Sequence, residues 1–401
     1  MKVLLITNFP SNLDGGAKGR FLYLGEMMGN RGHEVEMIVS DFNHDKKTHR
    51  LEGEICHSDY LTKITVLHET GYRKNVSLAR LWSHYVWGCN VRRFLKSISK
   101  PDVIYCAVPS LTAARAAATY CTKNEVKLVV DLQDLWPEAF AMVIKSKLLQ
   151  KAILPMKWYI DKAFAAADIA IAVSESYVNR ILSVNKKIKK CFSVFLGNDG
   201  EMFDEGRLSY HLERSGNEIV VGYIGNMSTS YDIPCVLDAL SILKERGSVS
   251  LPIRFVLIGG GVDEEAFMEY AQMTYKNTCF LGRKSYREMA GLLCGCDIAV
   301  NPIVKGSVAS IINKVGDYAL AGLPVVNTQE STEYRALIDF YQCGINCECG
   351  NSEEVANAIE QLSMDKDLRI RMGDNARKLG KDKFDRRITY PLIVEALEAL
   401  N

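Results

Sequence analysis

Lys314 and Asp317 stand three residues apart in the run Val304-Lys305-Gly306-Ser307-Val308-Ala309-Ser310-Ile311-Ile312-Asn313-Lys314-Val315-Gly316-Asp317. On a helix that spacing puts both side chains on one face. A lysine there could neutralise a diphosphate, and an acid could hydrogen-bond a pair of ribose or sugar hydroxyls. Ser307 or Ser310 is placed to cap such a helix, whose free N–H groups would hold an anion. The plain alternative is an ordinary helix with an ion pair. A second run, Asp131-Leu132-Gln133-Asp134-Leu135-Trp136-Pro137-Glu138, sets three carboxylates and a tryptophan where an apolar segment ends. Asp134 is the favoured acid/base candidate, able to orient a hydroxyl, accept its proton or stabilise positive charge on a sugar. Asp131 could instead bond its own loop. A third run, Asn12 to Arg20, places Gly15 and Gly16 before a periodic segment, so that backbone N–H groups can approach an anion. Asp14 takes the first glycine place of G-x-G-x-x-G, which weakens a dinucleotide reading.

Charge is distributed unevenly. The chain has 401 residues with 49 Lys plus Arg and 48 Asp plus Glu, a formal net charge of +1. That balance argues against a dedicated nucleic-acid-binding protein. Yet no acid occurs from Thr70 to Pro101, where Arg73, Lys74, Arg80, Arg92, Arg93, Lys96 and Lys100 alternate with Tyr72, Trp82, Tyr85 and Trp87. Residues 140–160 repeat the flavour with Lys145, Lys147, Lys151, Lys157, Trp158 and Tyr159. Basic residues among interfacial aromatics suit an anionic membrane surface. The alternative is that the aromatics are core and the charges a solvated face. His84 lies in this stretch and is a further, weaker candidate. The 12 cysteines form no C-x-x-C, and Cys343, Cys347 and Cys349 have no histidine beside them, so no metal site is expected. Scattered thiols fit a reducing cytoplasm. The apolar run at the N-terminus is short for a signal peptide, and no stretch reaches the roughly 18 apolar residues of a spanning helix.

The elements that must carry these residues read as two successive α/β halves. Val3–Thr7 is an apolar run bounded by turn residues, as a strand buried on both faces reads. A helix over Ala17–Arg31 and a strand over Val35–Val39 complete a βαβ unit. Strands follow near 103–107, 128–131 and 169–173. The pattern restarts with Ile219–Ile224, a helix over Asp232–Glu245 and Ile253–Ile258, then strands near 278–281, 298–301 and 324–327. Two doubly wound parallel sheets are expected, with ligands outside the carboxyl ends of the strands. Residues 196–217 lack apolar periodicity and read as the boundary. The expected domains are therefore 1–196 and 197–384, with a C-terminal helix over 385–401 that could pack back across them.

Together these pieces resemble the family 4 retaining glycosyltransferases of the GT-B fold, and in particular the bacterial capsule, O-antigen and exopolysaccharide branch. The resemblance rests on Gly15-Gly16 with Arg20, Arg31-Gly32-His33-Glu34-Val35, Gly71-Tyr72-Arg73-Lys74-Asn75-Val76-Ser77-Leu78, Asp134-Leu135-Trp136-Pro137-Glu138, Gly197-Asn198-Asp199-Gly200 and Lys314 through Pro324. It implies transfer of a sugar, with retention, from a nucleotide-sugar to an acceptor hydroxyl. Gly15, Gly16, Gly225, Asn226, Arg283, Ser310, Asn313, Lys314 and Asp317 would then bind the donor, a UDP-sugar being expected. Asp134, Lys314 and Asp317 would carry the catalytic roles. Arg73, Lys74, Trp82, His84 and Glu138 would face a polyprenyl-diphosphate-linked glycan acceptor at the inner membrane surface, making the protein cytoplasmic and peripheral. No cofactor or metal is implied. Two departures stand out. The family's E-x7-E positions hold Ala309 and Asp317, and the loop Gly225 to Asp232 lacks the Arg and Lys that many relatives direct at the diphosphate. Competing readings are a nucleotide-sugar epimerase, a phosphorylase, a non-catalytic nucleotide-sugar-binding protein, and an NAD-dependent oxidoreductase.

Overall fold

The computed structural model describes residues 1–10, 13, 17–51, 55, 60–75, 77–138, 147–306 and 311–400, with backbone alone over 147–154. The chain divides into two compact units, Met1–Phe195 with Tyr390–Asn401, and Leu196–Thr389. The terminal residues 390–401 thus belong to the first unit, whereas 385–389 belong to the second. The single terminal helix expected over 385–401 is instead two, Arg386–Thr389 and Pro391–Glu398. Proline fixes its own φ and lacks an N–H, so Pro391 suits a helix start better than an interior.

The first unit holds seven parallel strands in the order β5-β2-β1-β6-β7-β8-β9. They are β1 (Lys2–Thr7), β2 (Glu34–Ser40), β5 (Lys63–Leu67), β6 (Val103–Val108), β7 (Lys127–Leu132), β8 (Ile169–Ala172) and β9 (Lys190–Ser193). A hairpin of β3 (Phe42–Asn43) and β4 (Thr48–His49) follows β2. Helices α1 (Arg20–Asn30), α2 (Leu78–Leu95) and α3 (Leu111–Asn124) cover the sheet. The core joins Val3, Leu5, Met37, Tyr105, Val129 and Ile171 to Tyr390, Ile393, Val394 and Leu397. That last apolar face explains why the chain end packs on this unit.

The second unit holds six parallel strands in the order β12-β11-β10-β13-β14-β15. They are β10 (Ile219–Asn226), β11 (Ile253–Gly260), β12 (Thr278–Phe280), β13 (Ile298–Asn301), β14 (Val325–Asn327) and β15 (Gly344–Asn346). In both sheets the strand order reverses beside the first strand, which creates a ligand-binding crevice in folds of this kind. The stretch expected to be a linker contains a helix, Gly200–Ser209, capped by Asp199 accepting from the Met202 N–H at 3.2 Å. Its face is made by Phe203 and Gly206 rather than by an apolar stripe. A Cβ at Gly206 would lie 2.2 Å from the Arg287 carbonyl, so the helix packs backbone-close.

Candidate functional site

The carboxyl ends of β10 and β11 are built from bare backbone. Gly225 and Gly259 are register partners with φ of 119° and 149°, and a Cβ on Gly259 would fall 1.9 Å from the Gly225 carbonyl oxygen. Only glycine fits this left-handed, crowded position. Lys314 lies against the open side of Gly225, where a Cβ would sit 3.2 Å from its Nζ. The ammonium donates to the Tyr223 hydroxyl at 3.0 Å and stands 4.1 Å from the Tyr223 ring and 3.7 Å from the Tyr231 ring. Tyr223 in turn donates to the Asn226 carbonyl at 2.5 Å. No carboxylate pairs with Lys314 among the described residues. Burial pushes its pKa well below the ordinary range for lysine. A lysine held by two aromatic faces, with no carboxylate partner among the described residues, is poised for an anion that would favour its charged form.

Gly225 faces this lysine, and Asn226 and Arg283 follow along the neighbouring strand ends. Asn226 is exposed at the strand end beside Gly260, and the Arg283 guanidinium reaches the Gly260 carbonyl at 3.5 Å. Asn313 is exposed immediately before Lys314. The helix begins at Lys314 itself, with Asn313 in the N-cap position, so Lys314 is its first residue rather than one turn inside it. Asp317 does not join Lys314. Its Oδ1 accepts from the Asn198 amide at 2.7 Å and the Tyr286 hydroxyl at 2.8 Å. Burial raises its carboxyl to about 7, against the opposing pull of those two donors. The two side chains therefore have separate partners and form no ion pair. Tyr223, Tyr231, Asn198 and Tyr286 were not legible as site residues. Tyr223 and Tyr231 flank the expected Gly225 and Asn226, and Asn198 lies in the Gly197–Gly200 run, but none of the four carries a spacing signal that ties it to Lys314 or Asp317.

In the first unit the strand-end acids separate by role. Asp131 is fully buried. It accepts from Arg20 Nε at 2.8 Å and from the Tyr105 hydroxyl at 2.5 Å, a structural ion pair that clamps α1 to β7. Glu138 pairs with Arg180 at 2.5 Å and lies 3.9 Å from Lys157, so it ties local segments together instead of standing free for an acceptor. Asp134 is half-buried and accepts from the Trp136 indole N–H at 2.9 Å. Burial raises its pKa, opposed by that hydrogen bond and by Arg80. It borders an aromatic pocket. The His84 ring stacks on Trp136 at 5.0 Å and 5°, with Phe9 at 5.6 Å and Tyr72 at 6.2 Å. The Arg80 guanidinium lies 4.2 Å from the Trp136 ring centroid. Burial lowers His84 to about 3, with Arg80 and His44 adding to the shift, so the imidazole is neutral. Among the described residues, neither ring nitrogen of His84 has a hydrogen-bond partner, nor do the side-chain polar atoms of Asn8 and Ser110. Unsatisfied polar atoms collected at the strand ends mark a place built for a polar ligand or water.

Arg73, Lys74 and Trp82 are exposed. The acid-free stretch is thus divided between Trp87, His84 and Tyr72 inside and Trp82 and Tyr85 outside. A cavity of about 830 Å³ runs along α2 and α3, lined by Arg92, Lys96, Lys100, Arg115, Lys123, Tyr85, Tyr120 and Tyr159 and, among the described residues, by no acidic one. Gly15, Gly16 and Ser310, with Ser307 and Ala309, lie outside the described residues. So do Val76 and Lys145, and the side chains of Lys147 and Lys151.

Both halves are thus doubly wound parallel sheets whose strand ends suit a ligand, polar in the first unit and glycine-rich in the second. The model of the Glycosyltransferase Family 4 matches residues 14–189, and that of the Glycosyl transferases group 1 matches residues 218–365. With the fold, these matches support a family 4-type glycosyltransferase. The capsular polysaccharide biosynthesis glycosyltransferase CapM of Staphylococcus aureus is 25% identical over 248 residues, 59% of this chain and 62% of that protein, so the match spans less than two thirds of the relative. Among solved structures, HepE of Anabaena in complex with UDP superposes over all of both chains with a TM-score of 0.67 at 19% identity. Sucrose-phosphate synthase from Thermosynechococcus elongatus superposes with a TM-score of 0.69 at 14% identity, over 100% of this chain and 99% of that one. At these identities the structural likeness concerns the GT-B fold.

Proposed function

We propose that this chain is a retaining glycosyltransferase of cell-surface polysaccharide synthesis. It moves a sugar from a UDP-sugar to a polyprenyl-diphosphate-linked glycan at the cytoplasmic face of the membrane. The observation that carries the reading is Lys314, a buried lysine with no carboxylate partner among the described residues, bracketed by Tyr223 and Tyr231 and set against the bare backbone of Gly225. A diphosphate approaching Gly225 would meet that ammonium in a water-poor site, where a fixed charge stabilises a leaving group most strongly. The lysine then supplies the charge that a metal ion supplies elsewhere, so the transfer needs no metal. The UDP and UDP-glucose complexes of HepE support the donor class, and the capsular role of CapM supports the pathway. Asp134 acts on the transferred sugar. The acid-free cavity along α2 and α3, with exposed Trp82 and Tyr85 near it, supports contact with an anionic membrane surface. No helix among the described residues is long and apolar enough to cross a membrane.

A second reading is a nucleotide-sugar-binding protein without turnover. It is favoured by Asp317, the remaining acid of the family pair, whose Oδ1 is engaged by Asn198 and Tyr286. One paired experiment separates the two. UDP is titrated into the wild type, Lys314→Ala and Asp134→Asn, and release of UDP from UDP-glucose is followed in each. Lys314→Ala should keep its fold, because it removes a desolvated, unpaired charge. It should weaken UDP binding at least about tenfold, or ~1.4 kcal/mol. Asp134→Asn should bind UDP within a few-fold of wild type and release it at least about a hundredfold more slowly. Unchanged UDP affinity in Lys314→Ala removes the diphosphate assignment. UDP binding with no release by the wild type favours the binding protein.

A further inference from the structure

Asp41, His49 and His68 come from three separate segments of the first unit: the residue after β2, the end of β4 and the residue after β5. His68 Nδ1 lies 2.7 Å from Asp41 Oδ2, and His49 Nδ1 lies 3.3 Å from the same oxygen. One ligand atom from each residue falls within 4.8 Å of the other two. The two imidazoles are stacked, with centroids 5.6 Å apart and planes at 15°. The other Asp41 oxygen accepts from the Glu69 N–H at 2.7 Å, which fixes the carboxylate and aims Oδ2 at the histidines.

We propose that Asp41, His49 and His68 form a binding site for a borderline divalent cation, zinc first among them, that pins the β3–β4 hairpin to the end of β5. Two imidazoles and one carboxylate suit zinc over magnesium or calcium, with water completing a tetrahedron. Bonds of about 2.0–2.1 Å place tetrahedral ligand atoms roughly 3.3 Å apart. His49 already meets that spacing from Asp41. His68 must retreat by about 0.6 Å, and the two nitrogens must close to the same separation. Both rings have exposed edges that allow this movement, with side-chain exposures of 46% for His49 and 58% for His68. Each imidazole would bind the cation through the Nδ1 lone pair, with its ring proton on Nε2. The hydrogen bond from Glu69 plays the outer-sphere part that orients a metal-bound carboxylate. The hairpin carries His44 and Lys47, which contact Tyr72 at the aromatic pocket, with His44 Nδ1 2.5 Å from the Tyr72 hydroxyl. The cation would therefore stiffen one wall of that pocket. The site is separate from Lys314 and stands whether or not the glycosyltransferase reading holds.

The test uses the full chain after treatment with chelator. Zinc should bind at one equivalent to this site and raise the Tm, while magnesium at the same concentration leaves it unchanged. The twelve cysteines are the competing ligands. Cobalt therefore serves as the second probe, and the expected spectrum shows tetrahedral d–d bands without thiolate-to-cobalt charge transfer. The His49→Ala/His68→Ala double variant should keep its metal-free Tm, and its zinc affinity should fall at least about tenfold. Single His68→Gln should show the same direction if the double variant folds poorly. A thiolate charge-transfer band as the whole cobalt signal overturns the proposal. So does zinc binding that survives both substitutions, or the absence of any zinc binding at millimolar concentration.

Discussion

Asp317 shows how far a single residue can be read from its neighbours in the chain. Its spacing from Lys314 singled it out, yet the direction of its side chain is set by Asn198 and Tyr286, which lie 119 and 31 residues away in sequence. No local pattern contains that information. The consequence is a titration. The carboxyl is raised from 3.8 to about 7, so between those values the folded chain holds a proton that the unfolded chain has lost. Stability from this group is therefore full below about pH 4 and falls as pH rises towards 7, the sign for a raised acid. The shift corresponds to an upper bound of roughly 4 kcal/mol. Asp317→Asn keeps an oxygen for both donors and removes the titration. Urea denaturation at pH 5 and pH 8 should show wild type losing more stability than the variant. Equal losses would mean that Asp317 stays ionised inside the fold. Lys314 stood out in the sequence as a candidate cation for a diphosphate. Its aromatic bracket did not, because Tyr223 sits in the buried run Ile219–Ile224, where every residue looks like core.

Elements were legible where burial on both faces leaves a continuous apolar run. Val103–Val108 and Ile169–Ala172 are buried at every position, and their sequences read as strands without ambiguity. The strands that went unread lie at the sheet edges. β9 reads Lys-Cys-Phe-Ser and is only partly buried, and β15 has three residues, none of them fully buried. Edge strands need neither a long apolar run nor alternation, so their sequences lack the signal. The acid at the end of β7 is the instructive case. Asp131 and Asp134 look alike in sequence, but Arg20 reaches only the first. Removing one partner of a buried ion pair leaves an uncompensated charge and typically costs 3–5 kcal/mol. Asp131→Ala should lower the free energy of unfolding by about that amount in a urea titration. A loss below about 1 kcal/mol would place the pair among weakly contributing contacts.

At the scale of the whole molecule, the sequence announced two doubly wound sheets because the same strand–helix alternation occurs twice. The strand order, with its reversal beside the first strand of each sheet, could not be read from alternation alone. A C-terminal helix packing back was expected, but its docking on the first unit from residue 390 depends on Tyr390, Ile393, Val394 and Leu397 finding an apolar surface there. The division of labour proposed for the units places the nucleotide on the second, where Lys314 and Gly225 meet, and acceptor recognition on the first. The most direct measurement of that central claim is a thermal-shift series on the intact chain with UDP, GDP, ADP, CMP and NAD, each with and without Mg²⁺. A ligand at a hundred times its Kd stabilises the native state by about 2.7 kcal/mol. UDP alone should raise the Tm by several degrees, equally in the presence and absence of Mg²⁺. A shift with NAD, a UDP shift that requires Mg²⁺, or no shift with any of them would contradict the account.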